Sequence, residues 1–153
     1  MPIHVPQGMS VGIISARATK TGNPAQTTTS TSYVDVLSID LSTLQIPAVN
    51  GIIAVKATGG FLKNSTGTGN VRIAILDASS NVLIYNEYTF TVYGLCLNHG
   101  ISWEGLLTEA RYIKLQFKTN DTDPASCYGG APGMCSGLIL ALYVKIIPNV
   151  TFS

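Results

Sequence analysis

Charge is what this chain has least of. Lys, Arg, Asp and Glu make up 11% of its 153 residues, less than half the roughly 25% of an ordinary globular protein. Nine cations against eight acids leave a net charge of +1. So thin a scatter predicts no basic face able to hold phosphates by counterion release, and nucleic acid is set aside as a partner. Long apolar runs are also missing. The longest, 137–144, ends at Lys145 after eight residues, whereas a spanning helix needs about 20, so no membrane insertion is expected. Helix signals are nearly absent: 102–109 reads as a single turn capped by Ser102 and weakened by Gly105. Without crossover helices a parallel α/β fold is excluded.

In place of charge stand 29 Ser and Thr, nine Asn and fifteen Gly. A surface solvated by hydroxyls and amides has little self-repulsion and suits packing against copies of itself. With 46% apolar residues the chain is globular and large enough for one cored domain. Its apolar residues alternate. In 111–118, Ile113, Leu115 and Phe117 are separated by Lys114, Gln116 and Lys118, the pattern of a strand with one wet face. Residues 82–92 repeat it, and shorter β-rich runs occur at 33–41, 52–57 and 71–76. The cluster Asp77-Ala78-Ser79-Ser80-Asn81 joins two such runs and reads as a hairpin turn. Many short strands at regular spacing predict an all-β, antiparallel two-sheet β-sandwich of jelly-roll type. The domain division expected is an N-terminal strand and Ser/Thr-rich linker at 1–32, an extended arm, followed by the sandwich at 33–153.

Few residues suggest chemistry. His99 precedes Ser102 by three positions, but a nucleophile needs a base within reach and a third group to orient it, and nothing in the sequence pairs these two. Eight scattered acids name no carboxylate pair. Asn120, Asp121 and Asp123 offer oxygens in one loop, fewer than a Ca²⁺ site requires, and read as a turn. No Gly-rich segment carries the Lys-Ser or Lys-Thr of a phosphate loop. The expectation is therefore a non-enzymatic chain with no cofactor and no metal. Trp103 and seven tyrosines could face a surface glycan or receptor, although most alternate with core residues and are explained by packing.

Of the three cysteines, Cys127 and Cys135 bracket a turn-rich loop and are the disulfide candidates, closing a ring worth roughly 2.6 kcal/mol in the chain-entropy model. Three buried thiols is the other state the spacing allows. Sequons at Asn64, Asn120 and Asn149 are candidate glycosylation sites. Residues 138–147 are apolar on both faces apart from Lys145, so one face is surplus to a two-layer core. Ile139, Ala141, Tyr143 and Ile147 are accordingly subunit-interface candidates. Met9, Val11 and Ile13 join them, because the strand-like segment 9–16 is followed by a low-complexity stretch, 19–32, long enough to span roughly 45 Å and to let that strand pair with a neighbour's edge.

The flexible Ser/Thr-rich arm at 19–32, the short-strand body at 33–147 and the low charge together resemble small single-jelly-roll structural proteins of viruses, the capsid, spike or turret subunits of archaeal and bacterial viruses. The resemblance covers most of the chain but contains no diagnostic motif. It implies a self-assembling virion subunit, a homo-oligomer in contact with other virion proteins and located on a virion or extracellular surface. Met1-Pro2-Ile3-His4 lacks the basic and apolar regions of a signal peptide, which suggests release by lysis or trimming of a leader. A second resemblance is to secreted filament subunits that polymerise by donating an N-terminal strand, here 9–16. A carbohydrate- or receptor-binding head is the third expectation.

Overall fold

The computed structural model describes residues 3–5, 12–130, 135 and 138–152, with backbone alone for 3–5 and 150–152. Its strands are β1 (Ile3–Val5), β2 (Ile14–Lys20), β3 (Gly22–Thr28), β4 (Val34–Asp40), β5 (Asn50–Lys63), β6 (Gly69–Leu76), β7 (Val82–Phe90), β8 (Leu95–Leu106), β9 (Tyr112–Thr119), β10 (Ala125–Gly129), β11 (Leu140–Pro148) and β12 (Val150–Phe152). Among the described residues, two 3₁₀ turns, Leu41–Thr43 and Leu107–Glu109, are the remaining regular elements. β1 and β12 form a small parallel pair.

The other strands form two antiparallel sheets. One runs β4-β9-β6-β7. The other is built on the 14-residue β5, flanked on one side by β8 and on the other by β10 and β11 in succession. β3 and β2 then pair with β10 and β11 at the outer edge. β10 and β11 run in the same direction along β5, so they act as one strand interrupted between Gly129 and Leu140. β2 and β3 likewise act as one strand broken at Thr21. Counted this way there are eight strands, and the pairs are first with eighth, second with seventh, third with sixth and fourth with fifth. That is a long hairpin wrapped across two sheets, the topology of a jelly roll.

The core lies between the sheets. Phe61 packs against Phe90 and Phe117 with ring centroids 5.9 Å apart in both cases. Ile53, Ile73, Ile75, Leu97, Ile113, Leu115, Leu140 and Ile146 fill the space around them. These residues take alternate positions on their strands because successive side chains point to opposite faces. The lateral openings are closed by contact between sheets. Asn86 Nδ2 donates to the Gly100 carbonyl at 3.2 Å, and Gln26 Nε2 donates to the Asp35 carbonyl at 3.1 Å, so edge groups of one sheet are satisfied by the other.

Three expectations are corrected here. The Ser/Thr-rich 19–32 stretch is no free tether: residues 14–28 supply the edge strand, and the sandwich begins there and not at 33. Threonine is β-branched and favours a pleated, half-buried surface, which a reading of it as merely low in complexity overlooks. Ser102 caps no helix, because β8 continues through Leu106 and only 107–109 turns. Its glycines are strand residues; a Cβ on Gly100 would sit 2.5 Å from the Val55 carbonyl oxygen, so the close backbone approach requires glycine.

The cysteine pairing is the third correction. Cys135 is bonded to Cys96, 39 residues away, and Cys127 is a buried free thiol. Cys127 lies on the core side of β10 and belongs to the hydrophobic cluster, so it faces away from Cys135. Spacing along the chain could not reveal this, since the partner sits on β8, across β5 from β10 and β11. Gly59, at φ +153, stands on β5 where β10 gives way to β11, and a Cβ there would meet Leu140 Cδ1 at 2.5 Å.

Candidate functional site

The outer faces of the two sheets differ in kind. On the β4-β9-β6-β7 face, polar side chains are joined to one another. Asp35 accepts from Lys114 Nζ and Gln116 Nε2, both at 2.8 Å, and Gln116 Oε1 accepts from Arg72 Nε at 2.8 Å. The Arg72 guanidinium lies over the Tyr33 ring at 4.1 Å, with Lys118 at 5.3 Å from the same ring. Tyr33 donates its hydroxyl to Glu87; burial, then this carboxylate, hold its phenol above the usual range. Glu87 also accepts from Asn70 Nδ2 at 3.0 Å. Such cross-strand pairs stabilise a solvated sheet face, and, apart from the exposed Leu83 and Tyr85 of β7, this one is satisfied by its own groups.

The outer face of the β5 sheet is not. Antiparallel register places its side chains in rows across β2, β11, β5 and β8. One row holds Arg17, Tyr143, Lys56 and Gly100, and the next holds Ser15, Lys145, Ala54 and Ser102. Beyond them Ile147 stands opposite Ile52, and Ile52 opposite Glu104. Ile13 extends this row, one residue before the Ile14–Ile146 pair. The small side chains of Ser15 and Ala54 leave a hollow of about 590 Å³ rimmed by Arg17, Lys56, Tyr143 and Lys145. Among the described residues none of these three cations has a carboxylate within ion-pair distance. Four isoleucines of this face are exposed: Ile13 (57%), Ile52 (38%), Ile139 (39%) and Ile147 (41%). Exposed apolar residues grouped on one face, unlike single ones, mark a contact surface.

Of the interface candidates, Ile13, Ile139 and Ile147 are thus available, Tyr143 is half-buried in the hollow, and Met9 and Val11 lie outside the described residues. Ala141 is a correction. Its methyl, between Thr19 and Thr58 of the adjoining strands, is fully covered by its own chain. The donor segment 9–16 is also corrected where it is described, because Ile14, Ser15 and Ala16 already pair with β11 of the same molecule. Ile52, Arg17 and Lys56 were not singled out from sequence. The signal was present in Ile52-Ile53-Ala54-Val55-Lys56-Ala57, apolar on both faces apart from one lysine, the same pattern as 138–147.

Comparison with known proteins adds little. No protein-family model matches the sequence, and no curated protein matches it. Among solved structures, the chain is similar to one described as the structure of infectious bursal disease virus Gt strain. The TM-score is 0.38 and the identity 11%, over 91% of this chain and 40% of that one. A likeness at that score decides nothing about role, so function is argued from the site.

The other candidate positions resolve locally. His99 and Ser102 point to opposite faces of β8; His99 stacks on Tyr88 at 4.4 Å. Trp103 packs on the core rather than forming a glycan platform. The Asn120–Asp123 loop receives an ammonium from its own chain. The buried Lys63 donates to Thr119 Oγ1, Asp121 Oδ1 and the Asp123 carbonyl. Among the sequons, Asn64, Asn120 and Asn149 are all exposed. The Asn120 amide nitrogen, however, is held by Thr68 Oγ1 and Asn70 Oδ1, and a glycan there would replace one of the two donor hydrogens and remove at least one of these bonds.

Proposed function

We propose that this protein is a non-enzymatic structural subunit that assembles with copies of itself, as a virion component of the capsid, spike or turret kind that the sequence resembles. One observation carries the reading: Ile13, Ile52 and Ile147 lie exposed in one row on the outer face of the β5 sheet, beside a hollow whose three cations have no ion-pair partner among the described residues. The apolar residues surplus to the core are available for burial between molecules, where each would contribute about 25 cal/mol per Å² removed from water. The Cys96–Cys135 bridge supports an oxidising location such as a virion or extracellular surface. The jelly-roll topology is compatible with the role but hosts other functions too, so it is not the warrant.

Size-exclusion chromatography with light scattering on the full chain at micromolar concentration tests this. The expected result is a defined multiple of the 16.2 kDa protomer, visible as rings or shells by negative-stain microscopy. A stable monomer would overturn the proposal.

A further inference from the structure

Most of the nine cations of this chain are held by groups of their own molecule. Lys63, Arg111 and Lys114 meet carboxylates. Lys20 donates to Gln26 Oε1 and Arg72 to Gln116 Oε1, each at 2.8 Å, and Lys118 stands over the Tyr33 ring. Arg17, Lys56 and Lys145 are the exceptions. Among the described residues none of them has a carboxylate within ion-pair distance or an aromatic ring beneath its head group. All three rim the same hollow.

Strand register explains the convergence. Arg17 and Lys56 stand on either side of Tyr143. Lys145 follows Tyr143 by two residues on the same face of β11, flanked by Ser15 and Ala54. Lys145 is thus a diagonal neighbour of both Arg17 and Lys56, at the roughly 7–8 Å of such pairs. Like charges at that spacing repel one another, and the small Ser15 and Ala54 leave the space between them open. Glu104 is the one acid in the strands of this sheet. It lies opposite Ile52, two rows from the Lys56–Gly100 pair, and outside the lining of the hollow.

From this we infer that the hollow binds an acidic saccharide, a sugar bearing a sulfate or a carboxylate. The anionic group meets the three cations, and the Arg17 guanidinium can give a sulfate or carboxylate two parallel hydrogen bonds. The C–H face of a pyranose packs on the half-buried ring of Tyr143, and sugar hydroxyls meet the Ser15 hydroxyl. A volume of about 590 Å³ is that of a small-molecule site. A nucleic acid needs a basic groove that tracks its backbone over several nucleotides, and these three cations form a cluster, not a track. The inference goes beyond self-assembly and does not depend on it.

Isothermal titration calorimetry on the full chain at low salt tests this with a sulfated, a uronic-acid and a neutral tetrasaccharide. At least one acidic tetrasaccharide is expected to bind with a sub-millimolar Kd, and the neutral one not to; the one that binds names the anionic group. Arg17→Ala, Lys56→Ala and Lys145→Ala should each weaken binding roughly tenfold, the loss of one charge-assisted hydrogen bond. Tyr143→Ala should weaken it to a similar degree, while Lys118→Ala, on the other sheet, should bind like the parent. Unchanged far-UV circular dichroism verifies folding. Amide shifts of Ser15, Lys56 and Tyr143 in the parent, followed by NMR, locate the sugar without any variant. Hollow variants that bind like the parent, or shifts confined to another face, would overturn the inference. So would an oligonucleotide of equal charge binding as tightly with Tyr143→Ala indifferent, since that is bare attraction between charges. A monomeric parent that binds an acidic saccharide removes the self-assembly reading alone. An assembling parent that binds neither acidic saccharide removes this inference alone.

Discussion

At the scale of single residues, Lys63 and Phe117 show how differently a polar and an apolar side chain can hold the same end of the fold. Phe117 is fully buried and meets the Phe61 ring edge-on. Phe117→Ala is expected to cost about 3–5 kcal/mol, read as a lowered urea midpoint. Lys63 is just as buried, yet it is tolerable because its ammonium finds three oxygens. Lys63→Met would leave Asp121 without its counter-charge, and since that carboxylate is partly exposed we expect a loss of about 2–3 kcal/mol rather than the full cost of a sealed pair.

The same cluster sets an acid limit. The Lys63 hydrogen bond holds the Asp121 carboxyl below its ordinary range, and amide donors from Ser65 and Thr66 do the same for Asp123. Arg111, with Ser42, brings Asp40 down to about 2. Groups depressed on folding add stability that is fully present above their unfolded pKa, about 3.9, and is lost as pH falls through the folded value. Thermal melts should therefore be flat from pH 7 to 5 and decline below about pH 4, with Asp121→Asn reducing the slope. Burial pushes the Cys127 thiol up to about 12, so its nucleophilic thiolate is absent at neutral pH. Iodoacetamide should leave the native protein unmodified, add one label in urea, and three in urea with reductant.

Among the elements, the strands with one wet face were legible and those with two unusual faces were not. Alternation predicted β7 and β9 within a few residues, because a strand half in water writes its period into the sequence, while β4 and β6 showed only as short β-rich runs and β11 only as a run apolar on both faces. β8 carries the same alternation, Leu95, Leu97, Ile101 and Trp103, but Gly100 and Gly105 resembled breaks. β2 and β3 were obscured by threonines that resembled a linker. The disulfide is the element-level feature least available from sequence. It ties Cys135 to Cys96 of β8, closing a loop of about 40 residues, worth about 4 kcal/mol in the chain-entropy model. Reduction should lower stability by that order in a denaturant titration, and a Cys96→Ser, Cys135→Ser double variant should match the reduced parent.

For the whole molecule, the decisive quantity is an asymmetry between two outer faces: the charged groups of one are engaged by their neighbours, and the cations of the other are not. Composition carried part of this, since so few charges and so many apolar strand residues leave surface that water does not favour. The double-sided apolar pattern at 138–147 marked one strand that bears it, and the same pattern at 52–57 was present without being singled out. Composition could not show that Arg17, Lys56 and Lys145 converge from three strands. By itself the sequence determined the fold class and most of the core, because alternation is a local record of burial. Only the tertiary structure decided the partners, namely Cys96 for Cys135, Lys63 for the Asp121 loop, and one shared hollow for three separate cations. Register and sheet order bring residues together across long separations, and neither is written into the spacing between neighbours.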